Sequence, residues 1–292
     1  MFALARSPVA LLGLALVLAM GLIALLAPVL PLPSPTATSI LDTYLPPSAD
    51  HWFGTDALGR DVLARTLWGA RSSLAIGLGI VVIGMMLGVS LGLAAAEAAG
   101  SLFEELAMRL VDIFAAIPVL IWAIAVVGIV GTGATQIGPV SLSNEAKLVL
   151  LVGILFFPGI ARITYGLALA ELKQEYVDAR RLQGTGSAAI LFGDVLPNIL
   201  SPLLVQASVL VGIGIIIEAS LSFVGLGVQP PMPSWGSMLA DSKQTVFSGE
   251  YWLSLFPGLA IFLSVIGFNL LGDGLRDLFD PRRRTRLPKE TA

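Results

Sequence analysis

Ionisable side chains inside apolar runs are the residues of this sequence whose types and spacing could do chemistry. Glu218 is the deepest of them. It lies within "LVGIGIIIEASLSF", where an uncompensated carboxylate is expensive, so it must meet either a partner group or water. Two roles follow. It lines a water-filled path or gate, with Ser222 and Trp235 as further candidates, or it makes a structural hydrogen bond to a neighbouring helix. Arg109 and Asp112 stand three apart at the start of another apolar run, and Asp273, Arg276 and Asp277 are similarly spaced at the end of the last one. Such spacing puts side chains on one helical face, where they can neutralise each other.

Several chemistries are excluded. Cysteine is absent and His51 is the single histidine, which removes disulfides, thiolate zinc sites, histidine metal clusters and Cys/His catalysis. No GxxxxGK[ST] phosphate loop, GxSxG elbow or HExxH pair occurs, so neither a catalytic residue nor a cofactor or metal site is expected in this chain. The Gly272-Asp273-Gly274 triplet lacks the Gly-x-Gly-Asp order of an aspartyl intramembrane protease. No basic stretch interleaved with aromatics points to nucleic acid.

The elements that must position these residues are membrane helices. Hydrophobic residues make up 56% of the 292 and charged residues 13%, with a mean hydropathy of +0.88, far from an ordinary soluble domain. Crossing the hydrocarbon takes about 20 apolar residues, because an unsatisfied backbone amide there costs several kcal/mol. Six segments qualify, near 9–30, 73–95, 110–130, 148–168, 203–226 and 253–271, so the expected fold is an all-α integral membrane bundle of six transmembrane helices. The first is read as a retained helix, since its run exceeds the roughly 7–15 residues of a signal-peptide core.

Arginine and lysine set the orientation, because they accumulate on the cytoplasmic side of short loops. Arg6, Arg109, Arg162, Lys173, Arg180, Arg181, Arg276 and the "DPRRRTR" tail fall on one side; Arg60, Arg65, Arg71, Lys147 and Lys243 fall on the other. Both termini are therefore expected in the cytoplasm. The chain divides into a first helix (1–31), an outer loop with a short helix (32–71), a five-helix core (72–275) and a basic tail (276–292).

The longest polar interruption, "EYVDARRLQGTGSAAILFGDVLPN" (175–198), then lies in the cytoplasm. Residues 171–183 read as helix, Gly184 and Gly186 break it, and Ser187 caps a second short helix to about Asp194. Pro197 stops that helix and suits the start of the next. A helix–turn–helix hairpin over 171–198 results. Ile190, Leu191 and Phe192 give it an apolar face that needs cover from lipid, the protein's own helices or another chain.

Asp178-Ala179, Gly184 and Leu196-Pro197 follow the spacing of a known cytoplasmic-loop pattern: Glu-Ala-Ala, three residues, Gly, nine residues, Ile, one residue, Leu-Pro. With "HWFGTDALGRDVLARTLWGARSSL", "EASLSFVGLGVQPPMPSWGSMLAD" and "LFPGLAIFLSVIGFNLLGDGLRDLFDPR", the chain resembles, over nearly its whole length, permease subunits of ATP-binding-cassette (ABC) importers. The branch is the oligopeptide, dipeptide and nickel one, and the subunit is the partner with the shorter N-terminal extracytoplasmic region. The resemblance implies a type I ABC importer permease fold in the bacterial inner membrane and alternating-access import of peptides, with nickel or another small solute as the alternative cargo. It implies a second permease subunit, two cytoplasmic ATPases that hold ATP and Mg, an extracytoplasmic solute-binding protein and surrounding lipid.

It also implies that the hairpin is the helix that couples to an ATPase. Ile190, Leu191 and Phe192 would dock, Asp178, Arg180 and Arg181 would orient at a polar rim, Ala179, Leu196 and Pro197 would complete the motif, and Gly184 would let the chain reverse where a side chain obstructs. Glu218 would then meet the amino end of a peptide. Asp178 in place of glutamate, Arg180 in place of the second alanine, Gln183 in place of leucine and Asp194 in place of isoleucine or a basic residue are departures. The shorter reach of Asp178 means that contacts of the family's glutamate do not transfer directly.

Gly84, Gly88, Gly92, Ala96 and Gly100 recur every four residues, a ridge of small side chains for close helix packing, either as a static contact or as a seam that slides during gating. Pro118 is expected to kink the third helix. In the outer loop, "GTDALGRD" puts Asp56, Arg60 and Asp61 at helical spacing, a short helix for docking a binding protein or for bracing the first helix. Trp235 and Trp252, in the second outer loop, suit the membrane interface.

Overall fold

The structure, a computed structural model, describes residues 8–137, 140–245 and 248–279; Arg6 and the 280–286 stretch lie outside them. It is built from helices α1 (Pro8–Leu26), α2 (Val62–Glu97), α3 (Leu102–Ala115), α4 (Val119–Val130), α5 (Asn144–Glu171), α6 (Glu175–Leu182), α7 (Ser187–Ile190), α8 (Leu196–Phe223), α9 (Trp235–Asp241) and α10 (Trp252–Phe279). Five helical spans among the described residues are long and apolar enough to cross a membrane, or six if the bent pair of α3 and α4 is one span.

That pair departs from the expected kinked helix. α3 and α4 meet at 85°. Pro118 has an extended ψ of 133° and stands as the N-cap of α4, and its ring pushes the preceding residue out of helical conformation, so the break is complete. The elbow is held by the indole of Trp122, which donates to the Phe114 carbonyl at 3.2 Å and stacks on its ring. The expected Arg109–Asp112 pair does not form. Arg109 instead reaches Glu105 one turn back at 2.8 Å, and Asp112 pairs with Arg162 of α5.

α2 is the central rod, with α5 along one side and α8 along another, while α1 packs on α10. Small residues set those distances. A Cβ at Gly84 would lie 2.7 Å from that of Phe156, at Gly88 2.6 Å from that of Ile160, and at Gly92 2.7 Å from the Ala161 carbonyl, so the α2 and α5 backbones nearly touch. Ala96 continues the buried face, but Gly100 lies past the end of α2 in a turn. A second seam went unread in the sequence: a Cβ at Gly77 would meet Ile215 of α8 at 2.7 Å. Gly272 and Gly274 press on Ser208 and Ala10, which gives the Gly-Asp-Gly triplet a packing role between α8 and α1.

One end of the bundle carries the 175–198 hairpin; the other carries the loops. At the loop end α2 begins at Val62, about three turns before the expected start, because Asp61 caps it by accepting from Ala64 N at 2.8 Å. Arg65 and Arg71 are thus helical rather than in a loop. "GTDALGRD" is not a helix. Its Asp56 carboxylate accepts from the backbone of Leu58 and Arg60 at 2.9 and 3.0 Å, and Gly59 turns the chain at φ 68°. The helical piece of this loop is a single 3-10 turn, Ile40–Asp42.

The loop is braced on α2, α9 and α10. Arg60 contacts Asp56 at 2.6 Å and Asp241 at 3.3 Å, while Arg65 reaches Asp241 and the Pro35 carbonyl. Trp235 and Trp252 are internal clamps instead of interface anchors. Both are buried, and their indoles donate to the Thr66 and Thr55 carbonyls. Lys147 closes the end of α4, donating to the carbonyls of Gly131 and Gly133 at 2.6 and 2.5 Å.

Candidate functional site

The hairpin begins where α6 ends in a Schellman turn: the Gly184 amide returns to the Arg181 carbonyl and the Thr185 amide to that of Arg180, with Gly184 at φ 80°. Nothing of this chain lies within 4 Å of where a Gly184 side chain would start, so the glycine answers a backbone requirement and not crowding. Ser187 does not cap; Gly186 holds that position.

The second arm differs from the expected separate helix. α7 runs through a π turn, Leu191–Val195, straight into α8, giving one span from Ser187 to Phe223. The Leu196 amide reaches the Leu191 carbonyl, five residues back, and the wider turn takes in Pro197, which has no amide to offer. The hairpin is therefore the near end of a transmembrane rod.

Its apolar face is divided. Ile190 and Leu191 are buried in the protein's own core with Val177, Val195 and Ile199 against Leu93, Ala96, Ala168 and Leu172 of α2 and α5. These two are corrected from docking residues to anchors. Phe192 stays 61% exposed and Leu182 90%, beside the exposed Asp178, Ala179, Gly184 and Pro197, with Leu196 half-buried. Burying either large side chain on a partner would be worth about 1.5–3 kcal/mol.

The arginines also work inside the chain: Arg180 pairs with Asp194 across the hairpin at 3.1 Å, and Arg181 with Glu97 at the end of α2 at 3.4 Å. Asn198 donates to Glu171 and to the Tyr176 hydroxyl, which itself donates to Glu171. Desolvation and that last bond hold the Tyr176 phenol above its usual pKa, hence neutral at physiological pH. The finger is thus latched to three membrane helices before any partner arrives.

At the far end of the same rod sits Glu218, with no solvent exposure. Ser73 of α2 donates to one carboxylate oxygen at 3.0 Å and Ser222, one turn on, to the other at 2.7 Å. Each serine oxygen also accepts a backbone amide, Ser73 from Trp235 and Ser222 from Val228. The N-terminus of α9 is thereby tied to α2 and α8, and Ser234 and Ser237 close a capping box there. Ser222 and Trp235 are buried too. The path-lining reading of Glu218 and Trp235 is corrected to the structural one, since both are buried within the chain and the carboxylate knots α2, α8 and α9; Ser222 belongs to the same knot and borders a cavity with Arg60, Arg65, Gln229 and Asp241. Among the described residues, no group of three or more His, Asp or Glu side chains is arranged to hold a metal ion.

The sequence profile described as "Binding-protein-dependent transport system inner membrane component" matches residues 84–285. A dipeptide transport system permease protein of Alkalihalophilus pseudofirmus is 39% identical over 97% of this chain and 88% of its own length. A glutathione transport system permease protein of Pectobacterium atrosepticum is 42% identical over 82% of this chain and 75% of its own. A di/tripeptide transport system permease protein of Pseudomonas aeruginosa is 44% identical over 78% and 71%. Among solved structures, a chain of the MetNI methionine ABC transporter in an inward-facing form shares the fold, at TM-score 0.58 and 20% identity over 75% of this chain and 98% of that one.

Proposed function

This chain belongs to the binding-protein-dependent transport system inner membrane components, and from that premise we propose that its hairpin receives movement from a separate ATPase and drives alternating access for peptides. The chain is a multi-pass permease and not an enzyme in its own right. Its cargo is a di- or oligopeptide delivered by an extracytoplasmic binding protein, a reading supported by the dipeptide, di/tripeptide and glutathione relatives. A second permease subunit completes the pathway, two ATPases supply ATP hydrolysis, and the hairpin end, with Lys173, Arg180 and Arg181, faces the cytoplasm.

The observation that carries this reading is the continuity of the rod. From Ile190 to Glu218 is 28 residues, about 42 Å of helix, interrupted only by a π turn and by Pro202. Its lower end is gripped by α2 and α5, and its upper end holds α9. A push on the exposed Leu182–Phe192 tip therefore moves the Glu218 knot as well. Alternating access needs just such a coupled pair of ends.

The test is ATP-dependent uptake of a labelled dipeptide into proteoliposomes that hold both permeases and both ATPases, with and without the binding protein. Uptake should require every component. Replacing Phe192 and Leu182 together with aspartate should abolish it while the four-subunit complex still purifies and hydrolyses ATP. Full uptake by that variant would overturn the coupling role.

A further inference from the structure

We propose that a stripe of exposed charged side chains, Glu105, Arg109, Asp112 and Arg162, lines the hairpin-side half of a water-filled path for a solute bearing charges of both signs. All four are more than half exposed: 57% and 71% for Glu105 and Arg109, 57% and 51% for Asp112 and Arg162. Glu218 shows what this protein does with a membrane carboxylate that meets no water, wrapping it in serine hydroxyls at zero exposure. The stripe has no such wrapping.

Depth makes the difference decisive. On α5, Lys147 marks the loop-side margin, since its ammonium closes the end of α4. Arg162 follows 15 residues later, about 22 Å along the helix, whereas the hydrocarbon is about 30 Å thick. With Lys147 at that boundary and α5 along the membrane normal, Arg162 would lie about 7 Å inside the hairpin-side boundary. An arginine could snorkel out of that position, but its partner Asp112, on a single methylene, could not. Charged groups at that depth face a protein interior or water.

The faces of α3 say which. Ala107, Met108 and Val111 are buried against α2 and α5. Leu102, Leu106, Leu110 and Ile113 form an exposed apolar sector suited to lipid. Glu105, Arg109 and Asp112 fall together in a third sector, an arc of about 60°, where the groove beside them is walled mainly by polar atoms. With Glu104, which lines the same groove, three carboxylates and two cations give the wall both signs of charge and a small negative excess. A zwitterion, such as a peptide with free ends, finds a partner for each terminus and a deep well for neither. This inference rests on the importer reading and assigns it a wall.

The chain has no cysteine of its own, so single cysteines can be placed in the assembled complex, its partners' cysteines having been replaced. Arg109→Cys and Asp112→Cys should react with a membrane-impermeant, charged methanethiosulfonate about tenfold or more faster than Leu110→Cys and Ile113→Cys, because the reactive thiolate forms in water. The adducts should lose dipeptide uptake, and saturating dipeptide should slow the labelling. If Asp112→Cys fails to assemble, Glu105→Cys, whose partner is itself exposed, takes its place. Labelling as slow as at Leu110→Cys would overturn the stripe and place it in lipid or a dry seam. Because the label reads water and not transport, a silent stripe in a complex that still takes up dipeptide leaves the importer reading intact. A labelled stripe in a complex that takes up no dipeptide refutes that reading instead.

Discussion

Replacing Gly88 with alanine adds one methyl group at the tightest part of the α2–α5 seam. The new carbon would stand 2.6 Å from Ile160 Cβ, 2.8 Å from its Cγ2 and 2.8 Å from the Phe157 carbonyl, where carbon contacts rest at about 3.5–4.0 Å. Two of the three obstacles are backbone or branch-point atoms, so no rotamer change relieves them. The helices must part by about 1 Å over several turns. Such overpacking costs about 1–3 kcal/mol, offset by about 1 kcal/mol from alanine's better helix propensity. The net loss is about 0–2 kcal/mol, and Gly88→Leu should prevent assembly altogether.

The assay is the temperature at which half of the detergent-solubilised complex is lost from its monodisperse peak. Gly88→Ala should lower it by up to about 8 °C. Gly166→Ala, on α5 with nothing within 4 Å of the added carbon, is the control: it gains the same helix propensity without the overpacking, so it should raise the midpoint and be about 1–3 kcal/mol more stable than Gly88→Ala. If Gly88→Ala is as stable as that control, α2 and α5 do not meet as described. A stable variant that turns over slowly would favour the sliding seam.

Three further outcomes follow from the same geometry. Ile190→Ala should cost about 2–5 kcal/mol of stability, because it empties a core site, whereas Phe192→Ala should keep the complex intact and lower uptake; thermal stability and uptake measured side by side separate the two. Glu218→Gln can still accept from one serine, so it should cost about 1 kcal/mol and leave uptake in place, while Glu218→Ala strands the Ser73 and Ser222 hydroxyls and should cost about 3 kcal/mol or more; loss of uptake in a stable Glu218→Gln complex would return this residue to the pathway. Gly184→Ala forces a left-handed φ on a residue with a Cβ, about 1–2 kcal/mol, and should make the hairpin more sensitive to limited proteolysis than Gly184→Asn.

The long apolar helices were legible because lipid admits no other way to satisfy a backbone. Their packing was legible where it reduced to spacing, as at Gly84, Gly88 and Gly92. What sequence could not show was direction. Ile190, Leu191 and Phe192 are consecutive and equally apolar, yet the first two turn inward and the third outward, a choice made by how α2 and α5 approach. The stop expected at Pro197 became a π turn, because widening one turn accommodates a proline without ending the helix. Asp56, Arg60 and Asp61 have helical spacing, but a carboxylate that captures its own backbone amides competes with a helix and won. Glu218 was flagged by its surroundings alone. The serines that satisfy it come from α2 and α8, and no local pattern links residues 73 and 218.

The central claim is that the exposed tip of the hairpin rests on a separate ATPase. In the naturally cysteine-free chain, Leu182→Cys carrying a benzophenone label can be photolysed in membranes that contain the complete complex. The account predicts an adduct with an ATPase subunit whose yield changes between nucleotide-free and ATP-bound states. Adducts with lipid alone would contradict it.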